Sequence, residues 1–169
     1  TVMETNDLVA DRKADAGAAN TGTALVEFLF YQRKLVLGNA GAKVPNPDNH
    51  LVISGTGAMV DSYYGDLPWR DAYQTITDVT IGEGVTRIGK HAFFDFQSVT
   101  EITIPASVES IGKNAFGNST VSSVTFAPNS RLTTIDDYAF NCLIFLKQIT
   151  LPASVESIAP CAFWGDDYY

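Results

Sequence analysis

Two histidines, two cysteines and a few paired aspartates are the side chains of this 169-residue chain with the most chemistry to offer. A nucleophilic triad needs a Ser or Cys beside a histidine that a carboxylate orients. His50 follows a proline-containing run, Lys43–Asn49, and His91 precedes Ala92–Phe93; neither stands among such partners. Cys142 and Cys161 are too few for a disulfide framework, and their spacing fits no zinc pattern. Asp166 and Asp167 can meet a cation together with Asp136 and Asp137, but no oxygen-rich loop of calcium type accompanies them, so a solvated, charged end is the simpler reading. Gly55-Thr56-Gly57 follows an apolar run as a dinucleotide loop does. The third glycine's position is Val60, however, and no helix pattern follows, so a tight turn is expected. Asn118-Ser119-Thr120 fits the N-glycosylation triplet, which matters only in a eukaryotic secretory route. These residues point to no catalytic centre, no cofactor and no resident metal.

Composition narrows the partners. Asp and Glu number 19 against 11 Lys and Arg, a formal net charge of -8, which repels phosphate backbones and anionic lipid. Nucleic acid is therefore not expected as a partner. The longest oily stretch, Leu25–Tyr31, contains Glu27 and falls short of the ~20 residues of a membrane span, so no membrane insertion is expected. The apolar fraction of 46% is enough to build a continuous core. The first residue is Thr1 rather than Met, which suggests a processed chain. In an exported protein Cys142 and Cys161 are a possible disulfide; their spacing alone does not fix the geometry.

The element that must position any site is a repeat. Four segments align, 76–98, 99–120, 121–145 and 146–169, and ITxPASVESI-type text recurs at Ile102 and Ile149. Val79, Ile102, Val124 and Ile149 form one apolar column. Ile81, Ile104, Phe126 and Leu151 form another two residues on, the period of a strand with one buried face. Thr80, Thr103, Thr125 and Thr150 lie between and must point outward. Pro105, Pro128 and Pro152 end the strand, since proline cannot donate to a ladder. A second short extended segment is anchored by Val85, Val108, Leu132 and Val155, then Ile88, Ile111, Ile135 and Ile158. Gly89 and Gly112 follow and are expected to supply an unusual backbone angle, with Asp136 in their place in the third repeat and Ala159 in the fourth. His91, Asn114, Tyr138 and Cys161 share one variable column, expected to be exposed. Ala-Phe pairs at 92–93, 115–116, 139–140 and 162–163 close each coil, the phenylalanines stacking in the core. One coil cannot bury its apolar face alone, but stacked coils can.

These columns resemble the BspA-type leucine-rich repeat, whose pattern is close to LxxIxLPxSVxxIGxxAFxxC. The family's cysteine column is not kept: Phe96 and Leu143 occupy it, and Cys142 and Cys161 lie off it. The fold expected is a β-rich, right-handed leucine-rich-repeat solenoid of four coils of about 23 residues, with a β-rich N-terminal cap and only short helical turns.

The first 75 residues divide less clearly. Thr1–Thr23, poor in apolar residues, reads as a flexible arm with a short helix near Asn6–Lys13. Residues 24–75 read as the capping region. Leu25–Leu37 fits a hairpin turning at Gln32–Lys34, favoured by Phe28, Phe30 and Val36, or one helix ending at Gly38. Gly38–His50 reads as a loop. Leu51–Thr75, with its LxISGxGxM text and later Pro-Trp pair, resembles a segment found upstream of such repeats in bacterial surface proteins; physically it reads as a strand at Leu51–Ser54, then a short helix from Pro68 to Tyr73 capped by Asp66, with Leu67 and Trp69 covering the first coil. Tyr63, Tyr64, Tyr73, Trp164, Tyr168 and Tyr169 flank the array, as core covers or as contacts for a protein or sugar.

The resemblance implies a non-catalytic, exported adhesion module on a bacterial surface that attaches to protein or glycan on host or neighbouring cells. Two polar rows are the candidate ligand faces. One is Asp78, Thr80, Glu101, Thr103, Ser123, Thr125, Gln148 and Thr150; the other is Arg87, Ser110, Thr134 and Ser157. An ordinary solvated sheet face has the same pattern. A structural subunit is the alternative, self-associating through the open end of the fourth coil, with the N-terminal arm as the added strand.

Overall fold

A computed structural model describes residues 25–30, 33–36, 49–63, 67, 69–70 and 72–165, the first two stretches as backbone only. The arm, Asp66, Pro68, Tyr64, Asp166, Asp167, Tyr168 and Tyr169 lie outside the described residues. Eleven strands and no helix occur among those that are described: β1 (Leu25–Phe30), β2 (Arg33–Val36), β3 (His50–Ser54), β4 (Gly57–Ala58), β5 (Asp78–Ile81), β6 (Val85–Ile88), β7 (Glu101–Ile104), β8 (Ser110–Ile111), β9 (Ser123–Phe126), β10 (Thr134–Ile135) and β11 (Ser157–Ile158).

The hairpin, not the helix, is the arrangement found for β1 and β2, but Arg33 and Lys34, expected in the turn, already belong to β2. β1 pairs antiparallel with β2, Phe30 opposite Arg33, and with β3 on its other edge. Every other pairing is parallel, as a solenoid requires. One ladder runs β4-β6-β8-β10-β11 through all the turns. The other is divided into β2-β1-β3-β5 and β7-β9.

Residues 50–58 pair with the first repeat: Leu51 lies opposite Val79, Ile53 opposite Ile81 and Gly57 opposite Val85, with a register shift that puts Ala58 opposite Arg87. The stretch read as a cap thus also carries a turn of the solenoid. His50, assigned to a loop from its proline-rich approach, begins β3 opposite Asp78. Where a helix is expected from Pro68 to Tyr73, the described residues form hydrogen-bonded turns, with Arg70 N–H bonded to Leu67 C=O and Ala72 N–H to Trp69 C=O.

The core runs along the axis. Val85, Ile88, Ile104, Val108, Ile111, Leu132 and Ile135 have no solvent exposure, as the column reading requires, and Leu51 and Ile53, outside those columns, have none either; Ile158, expected as an inward anchor of the fourth repeat, is instead 46% exposed. Phe93, Phe116, Phe140 and Phe163 form a face-to-face stack with centroids 5.2, 5.3 and 5.2 Å apart. Trp69 extends the stack at the other end, 6.2 Å from Phe93, and its indole N–H donates to the Ala92 carbonyl at 2.9 Å. Trp69 thus covers the first coil as expected, and it does so by taking the place of the missing phenylalanine one coil earlier. Ala92, Ala115 and Ala139 are fully buried beside these rings, where a larger side chain would displace the stack.

Two corner assignments differ from expectation. Gly89 and Gly112 do not have a positive φ. Their value is close approach: a Cβ on Gly89 would lie 2.3 Å from the Val60 carbonyl oxygen, and one on Gly112 would lie 2.9 Å from that of Ile88. The left-handed residues are two positions later, at His91, Asn114 and Tyr138, with φ of 57°, 54° and 59°. That column looked free to vary, yet it has a backbone requirement and is only half-exposed. A further left-handed column follows at Asp95, Asn118 and Cys142. Asn and Asp adopt this conformation more readily than most residues.

The divided ladder has a chemical cause in the residue that follows each strand. Gly82 N–H donates to Ile53 C=O at 2.8 Å, and Ala127 N–H to Ile104 C=O at 2.9 Å. Pro105 and Pro152 stand at the same place in the second and fourth repeats and have no N–H. β5 does not pair with β7, and Gln148–Leu151, expected as the fourth strand, forms no ladder with β9.

Candidate interaction surface

The first polar row is divided as its ladder is. Thr80 is exposed, and its hydroxyl lies 2.8 Å from His50 Nε2; Asp78 accepts from the Thr77 hydroxyl at 2.8 Å. In the second group, Glu101 faces Ser123 and Thr103 faces Thr125 across one ladder. Glu101, Thr103 and Thr125 are exposed and Ser123 is half-buried. Gln148 and Thr150 are exposed on the far side of a groove of about 750 Å³ that separates β9 from the fourth coil. The structure therefore does not assemble the eight residues into one continuous sheet face.

The second row is continuous. Arg87, Ser110, Thr134 and Ser157 are successive neighbours in one parallel ladder. Its first member is engaged within the chain: the Arg87 guanidinium donates to Asp61 at 2.5 Å. Asp61 also accepts from Lys90 N–H at 2.8 Å. Partial burial disfavours its charged form, but the Arg87 and Lys90 hydrogen bonds outweigh that, and the Asp61 pKa lies below the ordinary 3.8. Beside this pair the Lys90 ammonium sits 4.7 Å from the Tyr63 ring centroid.

Asp61 escapes the sequence reading, which places His50 in a loop and not in the polar row. Asp61 has no counterpart in the repeats. His50 precedes Leu51 as Asp78 precedes Val79, so aligning the apolar pairs across the two segments would have extended the column to it.

His91 is held rather than solvated. Its Nδ1 lies 3.0 Å from the Ser62 carbonyl, its Nε2 lies 3.1 Å from the Asn114 amide, and its ring meets Phe94 edge-on at 5.7 Å. The Ser62 carbonyl can only accept, so Nδ1 carries the proton and Nε2 accepts from Asn114. Cys142 and Cys161 are thiols, not a disulfide. The Tyr138 phenol is raised above the ordinary tyrosine value by its hydrogen bond to the Cys161 side chain. Among the described residues no group of three His, Cys, Asp or Glu side chains is placed to hold a metal, and no helix is long and apolar enough to cross a membrane.

The fourth coil presents a different surface. Ile158, Phe163 and Trp164 are exposed there, Trp164 by 54%, whereas Ile135 and Phe140, the counterparts of Ile158 and Phe163, are buried; Ile144 and Phe145, at the end of the third repeat, are exposed as well, Ile144 by 67%. Of the flanking aromatics, Tyr73 packs against the core, while Tyr63 is 72% exposed.

The repeat geometry has relatives. A leucine-rich repeat protein from Eubacterium ventriosum ATCC 27560 superposes with a TM-score of 0.56 at 26% identity, over 81% of this chain and 40% of that one. The pneumococcal vaccine antigen PcpA gives the same TM-score at 25% identity, over 72% of this chain and 29% of that one. This chain thus spans less than half the length of either structure. No curated protein matches it. The family model of the BspA type leucine rich repeat region matches residues 72–167, in six copies. With more than half its length under that model and its strands, corners and aromatic stack in the same period, the chain belongs to the BspA-type leucine-rich repeat family.

Proposed function

We propose that this chain is a non-catalytic binding module displayed outside a bacterial cell, which attaches to protein or glycan on host or neighbouring cells. The observation that carries the reading is the strand face of β7 and β9. Glu101, Thr103 and Thr125 stand there in register and exposed, and among the described residues Glu101 has no ion pair and the two threonines have no side-chain hydrogen bond. A rigid parallel ladder fixes such groups at ~4.8 Å intervals, which suits repetitive polar contacts. The likeness to a vaccine antigen supports display outside the cell. Extracellular localisation follows from the same reading.

The test is binding to immobilised glycans and host extracellular proteins by the chain and by a triple variant, Glu101→Lys, Thr103→Lys and Thr125→Lys. A ligand held by the parent and lost by the variant supports the module. A ligand held equally by both moves the site elsewhere.

A second reading rests on a separate observation, the exposed apolar groups of the fourth coil. In that reading the chain is a structural subunit that self-associates through Ile158, Phe163 and Trp164. Its test is mass in solution across concentration, with Phe163→Ser and Trp164→Ser together as the control. A monomer at every concentration excludes it.

A further inference from the structure

We propose that the groove between β9 and Gln148–Leu151 is a docking site for an extended, uncharged segment of a protein partner, which adds to β9 as a strand. The inference deepens the binding-module reading and rests on it.

The first ground is the state of the β9 edge. Ser123 N–H donates to Thr100 C=O and Ala127 N–H to Ile104 C=O, so the odd-numbered residues of β9 turn their backbone groups toward β7. In a strand the groups alternate, and the N–H and C=O of Val124 and Phe126 therefore face the groove. Among the described residues no backbone hydrogen bond joins 146–153 to these two. Pro152 removes the donor that closes the equivalent joint at Ala127 and Gly82. The residues that lengthen the third repeat, Asn129 and Ser130, line the groove as well.

The second ground is size. A strand rises ~3.3 Å per residue, occupies ~4.8 Å of sheet width and has ~10 Å of sheet thickness, so five residues fill roughly 800 Å³. The groove holds about 750 Å³.

The third is charge. No residue lining the groove is charged, in a chain of net charge -8. Val124, Phe126, Ile149 and Leu151 line it alongside Ser and Thr. An alternating apolar and hydroxyl segment matches that lining, and a charged side chain brought there would lose water without a partner. Strand addition draws its affinity from main-chain bonds and its selectivity from alternate side chains.

The experiment is amide exchange and chemical-shift mapping of the whole chain, free and with a capped Thr-Ile-Thr-Val-Thr peptide. One control peptide has proline at its centre and another has glutamate for each threonine. In the free protein, Val124 and Phe126 should exchange about 100-fold faster than Thr125, which is inside a ladder. The peptide should slow those two amides by at least about tenfold, and neither control should. Protection of Val124 and Phe126 in the free chain equal to that of Thr125 would mean that the fourth coil closes its own ladder, and would overturn the proposal. So would peptide-induced shifts confined to the Arg87 row or absent throughout. The triple-lysine binding test above reads the outward side chains, so the strand face can hold a ligand even where the groove fails.

Discussion

Ala127 donates its backbone N–H to the Ile104 carbonyl at 2.9 Å, and that bond closes the β7-β9 ladder at its downstream end. Pro152 occupies the same place one coil later and has nothing to donate. Ala127→Pro should therefore open the ladder. A lost backbone hydrogen bond with its carbonyl left partly buried costs about 1–3 kcal/mol, read as a lower denaturation midpoint and faster exchange at Thr125. Pro152→Ala should act in the opposite sense, protecting a new amide at residue 152 and slowing exchange at Val124 and Phe126. If Ala127→Pro left both readouts unchanged, the proline account of the divided sheet would be wrong.

The aromatic stack makes a graded prediction. Phe116 is fully buried between Phe93 and Phe140, with ring centroids 5.2 and 5.3 Å away. Phe116→Ala should cost about 3–5 kcal/mol in equilibrium unfolding. Among the described residues Phe163 has one ring neighbour, and it is 39% exposed, so Phe163→Ala should cost well under half as much. Equal losses at the two sites would show that the rings do not contribute according to their burial.

Asp61 gives a pH dependence. Its folded pKa lies below 3.8, so the stability it contributes is present above the unfolded value and is lost as pH falls through the folded one. The pair with Arg87 is partly exposed, which limits it to about 0.2–1 kcal/mol. Asp61→Asn should therefore lower stability slightly and evenly between pH 5 and 7, and the gap to the parent should narrow below pH 3.8. Denaturation at pH 7 and at pH 3 checks the sign: a gap that widens in acid contradicts the assignment.

The left-handed corner separates backbone from side chain. Asn114 has φ of 54° and contacts His91 through its amide. Asn114→Gly and Asn114→Val both lose that contact, but only glycine accepts the conformation freely. Valine should be the less stable of the two by about 1–3 kcal/mol, since a β-branched residue at positive φ is strained. Thermal unfolding of the pair is the measurement.

By itself the sequence determined the solenoid. The period-two columns from Val79 to Leu151, the Ala-Phe pairs and their spacing leave one way to bury so much apolar surface, and the buried set and the phenylalanine stack follow from that. The strands at 25–36 were legible as well, because Phe28, Phe30 and Val36 suit a pleated surface better than a helix. Tertiary structure decided what the residue pattern leaves open. Trp69 became the first ring of the stack because residues 50–58 pair with 78–87 as an earlier coil, with a register shift at Gly57 and Ala58, a relation that only the apolar pair Leu51 and Ile53 signals in the text. Gly89 and Gly112 proved to be points of backbone contact between coils, and His91 a left-handed corner. Neither kind of requirement can be assigned to a column until the coils are stacked. The polar row that alignment draws as continuous is broken at Pro105 and Pro152, because a ladder depends on hydrogen bonds between neighbouring coils as well as on the side chains within one.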